Sequence, residues 1–375
     1  MRVFLSSVIA QLLLNPYVFW RGWQALAGKK RWRALFATCF TIEILTFLVG
    51  YFFHKELPDD VMVGILFYCG TWYVGLLYAT LALCVVEAVR FSHRLHPWYP
   101  GWIVAHWSRV KRTLFVLVIA GLSVLLYAGH RRVMQPVVRH VHIDLPRGPG
   151  GRFDSLTVVM MSDLHIGEMI GKELVQRYVW LSNAQRPDLV VLAGDLLDYE
   201  SRFAEDACIA DDLRRLEAPW GVYAINGNHE YRANRHAKKK WIQTTGAILL
   251  VDSTVLVNES FYLVGRDDMV NLKRRPLRSL MQPLDARKPA IVLDHQPWSL
   301  AELAMNGAAL GLHGHTHNGQ WWPYPLVMKF VYECPYGYYR KGGTQYYVSS
   351  GIGAAGPPYR IGTVSELVVL HIRFI

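Results

Sequence analysis

Cysteine and charged residues are both scarce in this chain of 375 residues. Its five cysteines include no CxxC pair, so their spacing indicates neither a zinc knuckle nor a disulfide framework, although a single Cys208–Cys334 bridge stays an alternative. Charged residues make up 18% of the chain and hydrophobic residues 52%. This balance is too apolar for an ordinary soluble enzyme, and it predicts segments that cross a membrane.

The chain also lacks an acidic excess, because its formal net charge is +11. A basic chain can indicate a nucleic-acid partner. Here residues 1–130 hold 12 Lys and Arg against 5 Asp and Glu, whereas residues 131–375 hold 28 against 24. A duplex-binding domain would concentrate its positive charge in the soluble part of the chain. A nucleic-acid polymer is therefore not an expected partner.

Three apolar stretches have about the 20 residues that a bilayer-crossing helix needs. They are residues 34–53, 61–89 and 113–129. A fourth run, 1–20, is interrupted by Asn15 and Pro16, and it could be a spanning helix, an interfacial helix or a poor signal peptide. Arg21 follows this run, which is the wrong charge order for a signal, so we expect an uncleaved helix. Residues 1–130 are thus predicted to form a transmembrane region of three to four helices.

The loops between these stretches predict an orientation. The loops 21–33 and 90–112 are rich in Lys and Arg, whereas the short loop 54–60 is mostly acidic. The positive-inside rule places both basic loops in the cytoplasm. We therefore expect a multi-pass inner-membrane protein whose C-terminal domain lies on the extracytoplasmic side. Arg131 and Arg132, which directly follow the last stretch, argue mildly against this orientation.

Two acidic residues fall inside the predicted membrane helices. Glu43 lies in the middle of its stretch, and Glu87 lies near a cytoplasmic end. A carboxylate in hydrocarbon is costly, which makes it a candidate for function. The alternative for Glu43 is a protonated or hydrogen-bonded residue that fixes helix packing. Interfacial exposure is enough to explain Glu87.

The rest of the chain predicts a layered α/β domain. Residues 131–152 end in a Pro- and Gly-rich run and are expected to form an extended connector to a domain at 153–375. Alternating apolar and amphipathic segments, followed by strand-rich sequence, predict at least two sheets. The predicted strands are 156–161, 189–193, 222–225, 248–257, 261–264, 291–293, 346–348 and 364–372. The predicted helices are 172–185, 204–216, 232–245 and 298–305.

Side chains that can bind metals follow five strand signals in this domain. In chain order they are Asp163 and His165 in SDLHIG, Asp195 and Asp198 in GDLLD, Asn228 and His229 in GNHE, His295 in DHQP, and His315 and His317 in GHTHNGQ. Loops at the carboxyl ends of strands are where α/β sheets build their active sites. Asp-x-His and His-x-His also place two ligands on one loop, at a spacing that lets both face the same ion.

These residue types predict a dinuclear metal site. Carboxylates, an asparagine carbonyl and imidazoles suit divalent ions such as Mn, Fe, Zn or Ni. Any single block could be an ordinary turn, because Asp, Asn and Gly are common turn residues. Five blocks in this order, each after a strand signal, favour a metal site over five coincidental turns.

The blocks DLH, GDLLD, GNHE, DHQP and GHTH resemble the signature of calcineurin-like metallophosphoesterases. The tail, from HGHTHNGQWWP to YYVSSGIGAAGPPYRIG, is similar to a bacterial membrane-associated branch with a GHTHxGQ motif. The resemblance covers residues 153–375 and implies a layered α/β/β/α sandwich, here preceded by the helical transmembrane region. Asn318, Glu230 and Ser350 depart from residues that are common in the family, and none of the three is at a ligand position.

The resemblance also implies roles for individual residues. It implies two sets of three metal ligands and one carboxylate that bridges both ions: Asp163, His165 and His317 for one ion, Asn228, His295 and His315 for the other, and Asp195 between them. His229 would bind no metal but would stabilise the transition state beside the phosphate and protonate the leaving group. Asp198 would orient a ligand or hold its loop.

The implied chemistry is metal-dependent hydrolysis of phosphate mono- or diesters. Two divalent ions would lower the pKa of water and neutralise the phosphoryl oxygens, so that hydroxide attacks phosphorus in line with the leaving oxygen. The membrane region suggests a lipid or envelope-derived substrate. The alternatives are a nucleotide phosphodiesterase or nuclease, and a non-catalytic membrane sensor or scaffold. The last alternative predicts a missing ligand, and none is missing from the sequence.

Some neighbours of these blocks allow more than one interpretation. The basic run 238–240 could hold an anionic headgroup, but a solvated face is the commoner explanation. Trp321, Trp322 and Tyr324 could line a substrate cleft, rest in a lipid interface or pack in the core. His313 is expected to be hydrogen-bonded locally at a strand end.

Overall fold

The structure, a computed structural model, describes residues 8–54 and 56–375. The chain divides into two compact units, residues 1–129 and residues 130–375. Because the described residues begin at residue 8, part of the expected helix at 1–20 lies outside them.

The first unit is helical. A π-helical turn, Ala10–Leu14, leads into its helices, which are α1 (Asn15–Ala25), α2 (Lys30–Phe53), α3 (Asp59–Leu95), α4 (Gly101–Ala105) and α5 (Trp107–Met134), the last of which continues into the second unit. Three of them, α2, α3 and α5, are long and apolar enough to cross a membrane, as the apolar stretches predict. Pro16 does not break the chain of helices, because it lies in the first turn of α1, where a missing N–H costs little.

Glu43 is fully buried among these helices. Its carboxylate accepts hydrogen bonds from the Gln11 and Asn15 side-chain amides, the second at 2.9 Å. Trp72 Nε1 in turn donates to Asn15 Oδ1 at 3.2 Å. All three donors are neutral, so the contacts favour the packing interpretation of Glu43. Glu87 instead pairs with Arg21 and with Arg90, the latter at 2.9 Å.

The second unit contains twelve strands in the part of the chain that the structure describes. They are β1 (Val137–Leu145), β2 (Ser155–Met161), β3 (Leu189–Ala193), β4 (Val222–Ile225), β5 (Ile248–Leu250), β6 (Ser253–Val257), β7 (Phe261–Gly265), β8 (Ala290–Leu293), β9 (Leu310–His313), β10 (Gly337–Lys341), β11 (Thr344–Val348) and β12 (Glu366–Phe374). They form two six-stranded sheets, with the orders β1-β12-β2-β3-β4-β5 and β10-β11-β9-β8-β7-β6. Each sheet contains four neighbouring strands that run parallel: β2 to β5 in the first, and β7, β8, β9 and β11 in the second.

Among the described residues, seven α-helices complete the second unit. They are α6 (Lys172–Asn183), α7 (Arg202–Asp206), α8 (Ile209–Leu213), α9 (Arg235–Thr244), α10 (Leu277–Met281), α11 (Leu300–Met305) and α12 (Tyr324–Val331). Helices α6, α8 and α9 contribute to one buried cluster with the first sheet, and α10 and α11 contribute to another with the second sheet.

Side-chain alternation along the strands builds the layers. In β2, Val158 and Met160 face the core between the two sheets, whereas Val159 and Met161 face the helices. In β8, Ile291 lies between the sheets and Val292 faces the helices on the other side. The result is the α/β/β/α sandwich that the resemblance implies.

Several segments differ from the sequence prediction. Residues 137–145 of the expected connector form β1, which pairs in parallel with β12. The predicted strand 248–257 is two strands, because Asp252 adopts a left-handed backbone between them. The predicted helix 204–216 is split into α7 and α8 at Cys208, which also has a positive φ. No sequence pattern predicts β10, α10 or α12. The cysteines are free, Cys208 and Cys334 included.

Candidate metal centre

The predicted site residues meet at the carboxyl ends of five parallel strands, three from the first sheet and two from the second. Asp163 and His165 follow β2; Asp195 and Asp198 follow β3; Asn228 and His229 follow β4; His295 follows β8; and His315 and His317 follow β9. Because the carboxyl ends of both sheets open on one edge of the sandwich, residues more than 150 positions apart in sequence become neighbours.

The possible ligand atoms form two clusters, which a third group connects. Asp163, His165 and His317 offer atoms that lie within 4.8 Å of one another, and so do Asp195, His295 and His315. A third group, His165, Asp195 and His229, links the two. The sequence therefore named every carboxylate and imidazole in these groups. Asn228 joins the second cluster, since its Oδ1 lies 2.7 Å from His315 Nδ1.

Several of these contacts join two electron-rich atoms. His165 Nε2 lies 3.0 Å from His317 Nε2, and His295 Nε2 lies 3.1 Å from Asp195 Oδ2. His295 Nε2 is buried and has no hydrogen-bond partner among the described residues. The other nitrogen of that ring, Nδ1, lies 2.8 Å from the Ala193 carbonyl, which fixes a proton on Nδ1 and turns Nε2 toward the site. A cation between such atoms would satisfy them, so the residues fit a divalent metal centre.

The pKa is lowered for two of the predicted imidazole ligands, His315 and His317, and raised for the other two, His165 and His295. Burial, reinforced by nearby His295, lowers the pKa of His315 to about 3. Burial and the neighbouring His165 hold the pKa of His317 well below its ordinary value. Both rings are therefore neutral near pH 7, which is the form that binds metals. Burial would also lower the pKa of His295, but the Asp195 carboxylate outweighs it and raises that pKa.

His229 and Asp198 form a pair beside the clusters. His229 Nδ1 lies 2.9 Å from Asp198 Oδ1 and 3.0 Å from the Asp198 carbonyl. Asp198 also approaches His165 Nδ1, at 3.4 Å. Although burial alone would raise the pKa of Asp198, hydrogen bonds with the His165 and His229 imidazoles hold it below its usual range. Asp198 thus orients both rings, and Nε2 is the ring nitrogen of His229 left for other contacts.

The backbone of the loops is held in an unusual conformation. Five predicted site residues have a positive φ: Asp163, His165, Asp195, His315 and His317. Left-handed backbone costs a non-glycine residue about 1–3 kcal/mol, so tertiary contacts must enforce it. Two glycines permit the close approach of the loops, because a Cβ on Gly227 would collide with the Asp195 carboxylate and one on Gly314 with that of Asp163.

Three buried charged residues brace these loops, and the sequence patterns did not assign that role to any of them. Glu230 accepts hydrogen bonds from the backbone N–H groups of Asp195, Leu196 and Leu197 at 2.9–3.1 Å. It accepts a fourth from Gly227 at 2.7 Å. The loops after β3 and β4 are thereby tied together through one carboxylate.

Lys238 corrects the prediction of a solvated basic run. Its side chain is fully buried, and Nζ donates to the carbonyls of Asp198 at 2.9 Å and His229 at 2.8 Å. Lys239 and Lys240 are exposed, as the prediction states. The amphipathic position of Lys238 on α9 was the available signal, since positions 238, 241 and 242 share the buried face of that helix.

Arg360 is the third brace. It is fully buried and donates to the carbonyls of His317 at 3.1 Å and Gly353 at 2.7 Å. It thus links the loop after β9 to the glycine-rich segment near the C terminus. His313, at the end of β9, is also buried, and its Nδ1 lies 2.6 Å from the carbonyl of Asp294, which follows the neighbouring strand β8; the predicted hydrogen bond at the strand end is confirmed.

The site is open on one side. Asp163, His165, Asp195 and His295 are buried, whereas His315 is only half-buried. A ligand can therefore reach the clusters from the side of His315.

Comparisons with known proteins identify relatives of this arrangement. Residues 156–319 match the family model described as calcineurin-like phosphoesterase. A Campylobacter jejuni protein described as an uncharacterized metallophosphoesterase is 27% identical, over 96% of this chain and 95% of its own. A Danio rerio protein described as a transmembrane protein with metallophosphoesterase domain is 28% identical, over 99% of this chain and 89% of its own.

Among solved structures, a dimetal phosphatase from Danio rerio is similar over 59% of this chain and 99% of that chain, with 14% sequence identity and a TM-score of 0.36. The relatives include animal as well as bacterial proteins, so they do not single out the bacterial branch that the GHTHxGQ motif suggests.

Proposed function

This chain belongs to the calcineurin-like metallophosphoesterases, and we propose that its metal centre binds two divalent cations and hydrolyses a lipid or other envelope-derived phosphate ester. The observation that carries the proposal is the proximity of two ligand clusters, which a third group containing His165 and Asp195 links. Three apolar helices and a relative named as a transmembrane protein support membrane association.

We assign the ligands as the two clusters suggest. Asp163, His165 and His317 would hold one cation, Asn228, His295 and His315 the other, and Asp195 would contact both. The identity of the cations stays open among Mn, Fe, Zn and Ni, because imidazole with carboxylate suits each of them. Bound there, the cations would supply Lewis-acid stabilisation of phosphoryl oxygens and make water more acidic.

The chain's own residues would supply the rest of the chemistry. His229 is held by Asp198 through Nδ1, which leaves Nε2 to contact a phosphoryl oxygen and to donate a proton to the leaving oxygen. Lys238 and Glu230 fix the loops that carry His229 and Asp195. The substrate would reach the metal centre from the side on which His315 is half-buried.

The other functions that the sequence leaves open find less support. A non-catalytic scaffold predicts a missing ligand, yet all seven proposed ligand positions are filled and lie together. A nucleotide phosphodiesterase would use the same centre, and no feature of the described residues favours a base. The extracytoplasmic position of the domain rests on the charge of the loops alone and is part of the proposal.

Metal removal and one variant test the proposal. Detergent-purified full chain would be treated with a chelator, reloaded with Mn²⁺, and assayed with p-nitrophenyl phosphate and bis-p-nitrophenyl phosphate. We expect hydrolysis to disappear with the chelator and to return with the metal. The preferred ester then distinguishes a monoesterase from a diesterase.

In the same assay, His229→Ala should lower the rate by roughly 100- to 10,000-fold, the size of a lost general acid. Its metal content should stay at the wild-type level. His236→Ala is the matched control, because His236 is exposed on the neighbouring helix. A reloaded wild type that binds no metal would refute the proposed centre, and a fully active His229→Ala would refute the role of that residue.

A further inference from the structure

Helix α12 is an apolar helix without a buried residue. All eight positions of Tyr324–Val331 are at least partly exposed, although the sequence YPLVMKFV is almost entirely apolar. Phe330 is 91% exposed, and Leu326, Val327 and Val331 are exposed to nearly half. A soluble surface rarely presents such side chains side by side, and contiguous patches of this kind mark interaction sites.

Contacts on both sides of α12 fix it in place, before the helix to the segment 355–361 and after it to the loop that carries His315 and His317. Before the helix, Trp321 bridges to Ile361, and the Gln320 side chain donates to the Ala355 carbonyl at 3.0 Å. After it, the Pro335 carbonyl accepts from Thr316 Oγ1 at 2.6 Å. The helix is therefore a fixed feature at the rim of the metal centre.

The start of the second unit contacts the segment that anchors α12. His130 Nδ1 lies 3.1 Å from the Pro358 carbonyl, and the His130 and Tyr359 rings are 5.8 Å apart. Trp321 Nε1 donates to the Tyr359 carbonyl at 2.8 Å. His130 continues an apolar helix that could span a membrane. The segment 355–361, which fixes the start of α12, thus contacts His130, the first residue of the second unit and a residue of α5.

The composition of α12 fits a lipid interface. Trp322 precedes the helix and Tyr324 begins it, and such amphipathic rings prefer the headgroup region of a bilayer. Lys329 is exposed and can reach a phosphate headgroup, while Leu326 and Phe330, one turn apart, form an apolar edge.

We propose that α12 inserts Leu326 and Phe330 into the lipid surface, and that the metal centre acts on the headgroup phosphate of amphiphiles that stay embedded in the bilayer. The substrate part of this proposal rests on the proposed phosphoesterase function. The insertion part does not, because it depends only on the exposed helix and its anchor.

Photocrosslinking tests the insertion. p-Benzoylphenylalanine would replace Phe330 in the full chain, which would be reconstituted in nanodiscs of dioleoyl phosphatidylethanolamine and dioleoyl phosphatidylglycerol. After irradiation, mass spectrometry should find lipid adducts at position 330. The same substitution at Met305 is the control, because Met305 is 80% exposed and its helix leads into the amino end of β9, away from the metal centre.

A crosslink between two copies of the chain at position 330 would identify a protein interface instead of a lipid one. The absence of a lipid adduct, or equal lipid adducts at 330 and 305, would equally overturn the insertion of α12.

A pair of esters tests the substrate class. The pair is a bilayer lipid and its deacylated headgroup: phosphatidic acid with glycerol 3-phosphate for a monoesterase, or phosphatidylglycerol with glycerophosphoglycerol for a diesterase. We expect the wild type in proteoliposomes to prefer the lipid. Phe330→Asp should lower the ratio of lipid to headgroup hydrolysis by roughly 10-fold or more, because a carboxylate enters hydrocarbon at high cost.

Met305→Asp should leave that ratio at the wild-type value. An unchanged ratio in Phe330→Asp, or a wild type that cleaves only the headgroup, would overturn the substrate class. If the reloaded wild type cleaves no ester at all, the proposed phosphoesterase function fails, and the crosslinks still decide the insertion.

Discussion

Glu43 in the helical unit and Asp195 in the phosphoesterase unit are both buried carboxylates, yet their surroundings are opposite. Glu43 accepts hydrogen bonds from two neutral side-chain amides. Asp195 faces the His295 imidazole nitrogen, belongs to two groups of ligand atoms, and accepts a hydrogen bond from the backbone N–H of His229, on the loop after β4, at 2.8 Å.

The difference separates a packing device from a reactive site. Neutral donors satisfy a buried carboxylate completely, and the arrangement then needs nothing further. A cluster of imidazole and carboxylate atoms that face one another is an arrangement that a cation would satisfy. Burial of a charged residue is therefore a weak sign of function by itself, and the chemistry of its neighbours is the stronger one.

Replacement of each carboxylate by the amide of the same size should lower hydrolysis at Asp195 and leave it unchanged at Glu43. We expect Asp195→Asn to lower hydrolysis by more than about 100-fold, beyond the loss typical of an outer-shell partner, because it weakens both ligand clusters. Metal content by mass spectrometry should fall with it, and Glu43→Gln should change neither. An active, metal-replete Asp195→Asn would remove the distinction.

Lys238 gives an intermediate case, since it is a buried charge that is fully hydrogen-bonded but supports the site. Lys238→Met should lower kcat by roughly 10- to 100-fold, the range for residues that orient a ligand, because the carbonyls of Asp198 and His229 lose their donor. Lys239→Met, one residue away and exposed, is the control. If both variants keep the wild-type kcat while only Lys238→Met loses thermal stability, Lys238 is a packing residue like Glu43.

The smallest effect is expected in the membrane unit. Glu43→Leu would remove the acceptor of the Gln11 amide and one of the two acceptors of the Asn15 amide, at a cost of about 1 kcal/mol for hydrogen bonds between membrane helices. Its unfolding temperature in detergent should drop slightly, hydrolysis should be unchanged, and Glu43→Gln should unfold like the wild type. Loss of hydrolysis in either variant would make Glu43 a functional residue and would break the comparison.

The site could be predicted from the sequence to the extent that it is built from local signals. Each block of ligand residues follows an apolar strand directly, and parallel strands must end at a common edge of their sheet. Asp163, His165, Asp195, His295, His315 and His317 could be named for that reason, and the three apolar membrane stretches for their length.

What only the tertiary structure decided depends on contacts between distant segments. The strand β1 was predicted as part of a connector, because its partner β12 is more than 200 residues away and a pairing over that distance leaves no local sequence pattern. Lys238 resembled its exposed neighbours, and only its register with Trp241 and Ile242 on the buried face of α9 distinguishes it from them. The hydrogen-bond partners of Glu43 were also undecided, because hydrogen-bond satisfaction is a property of the surroundings in space and not of the residue type.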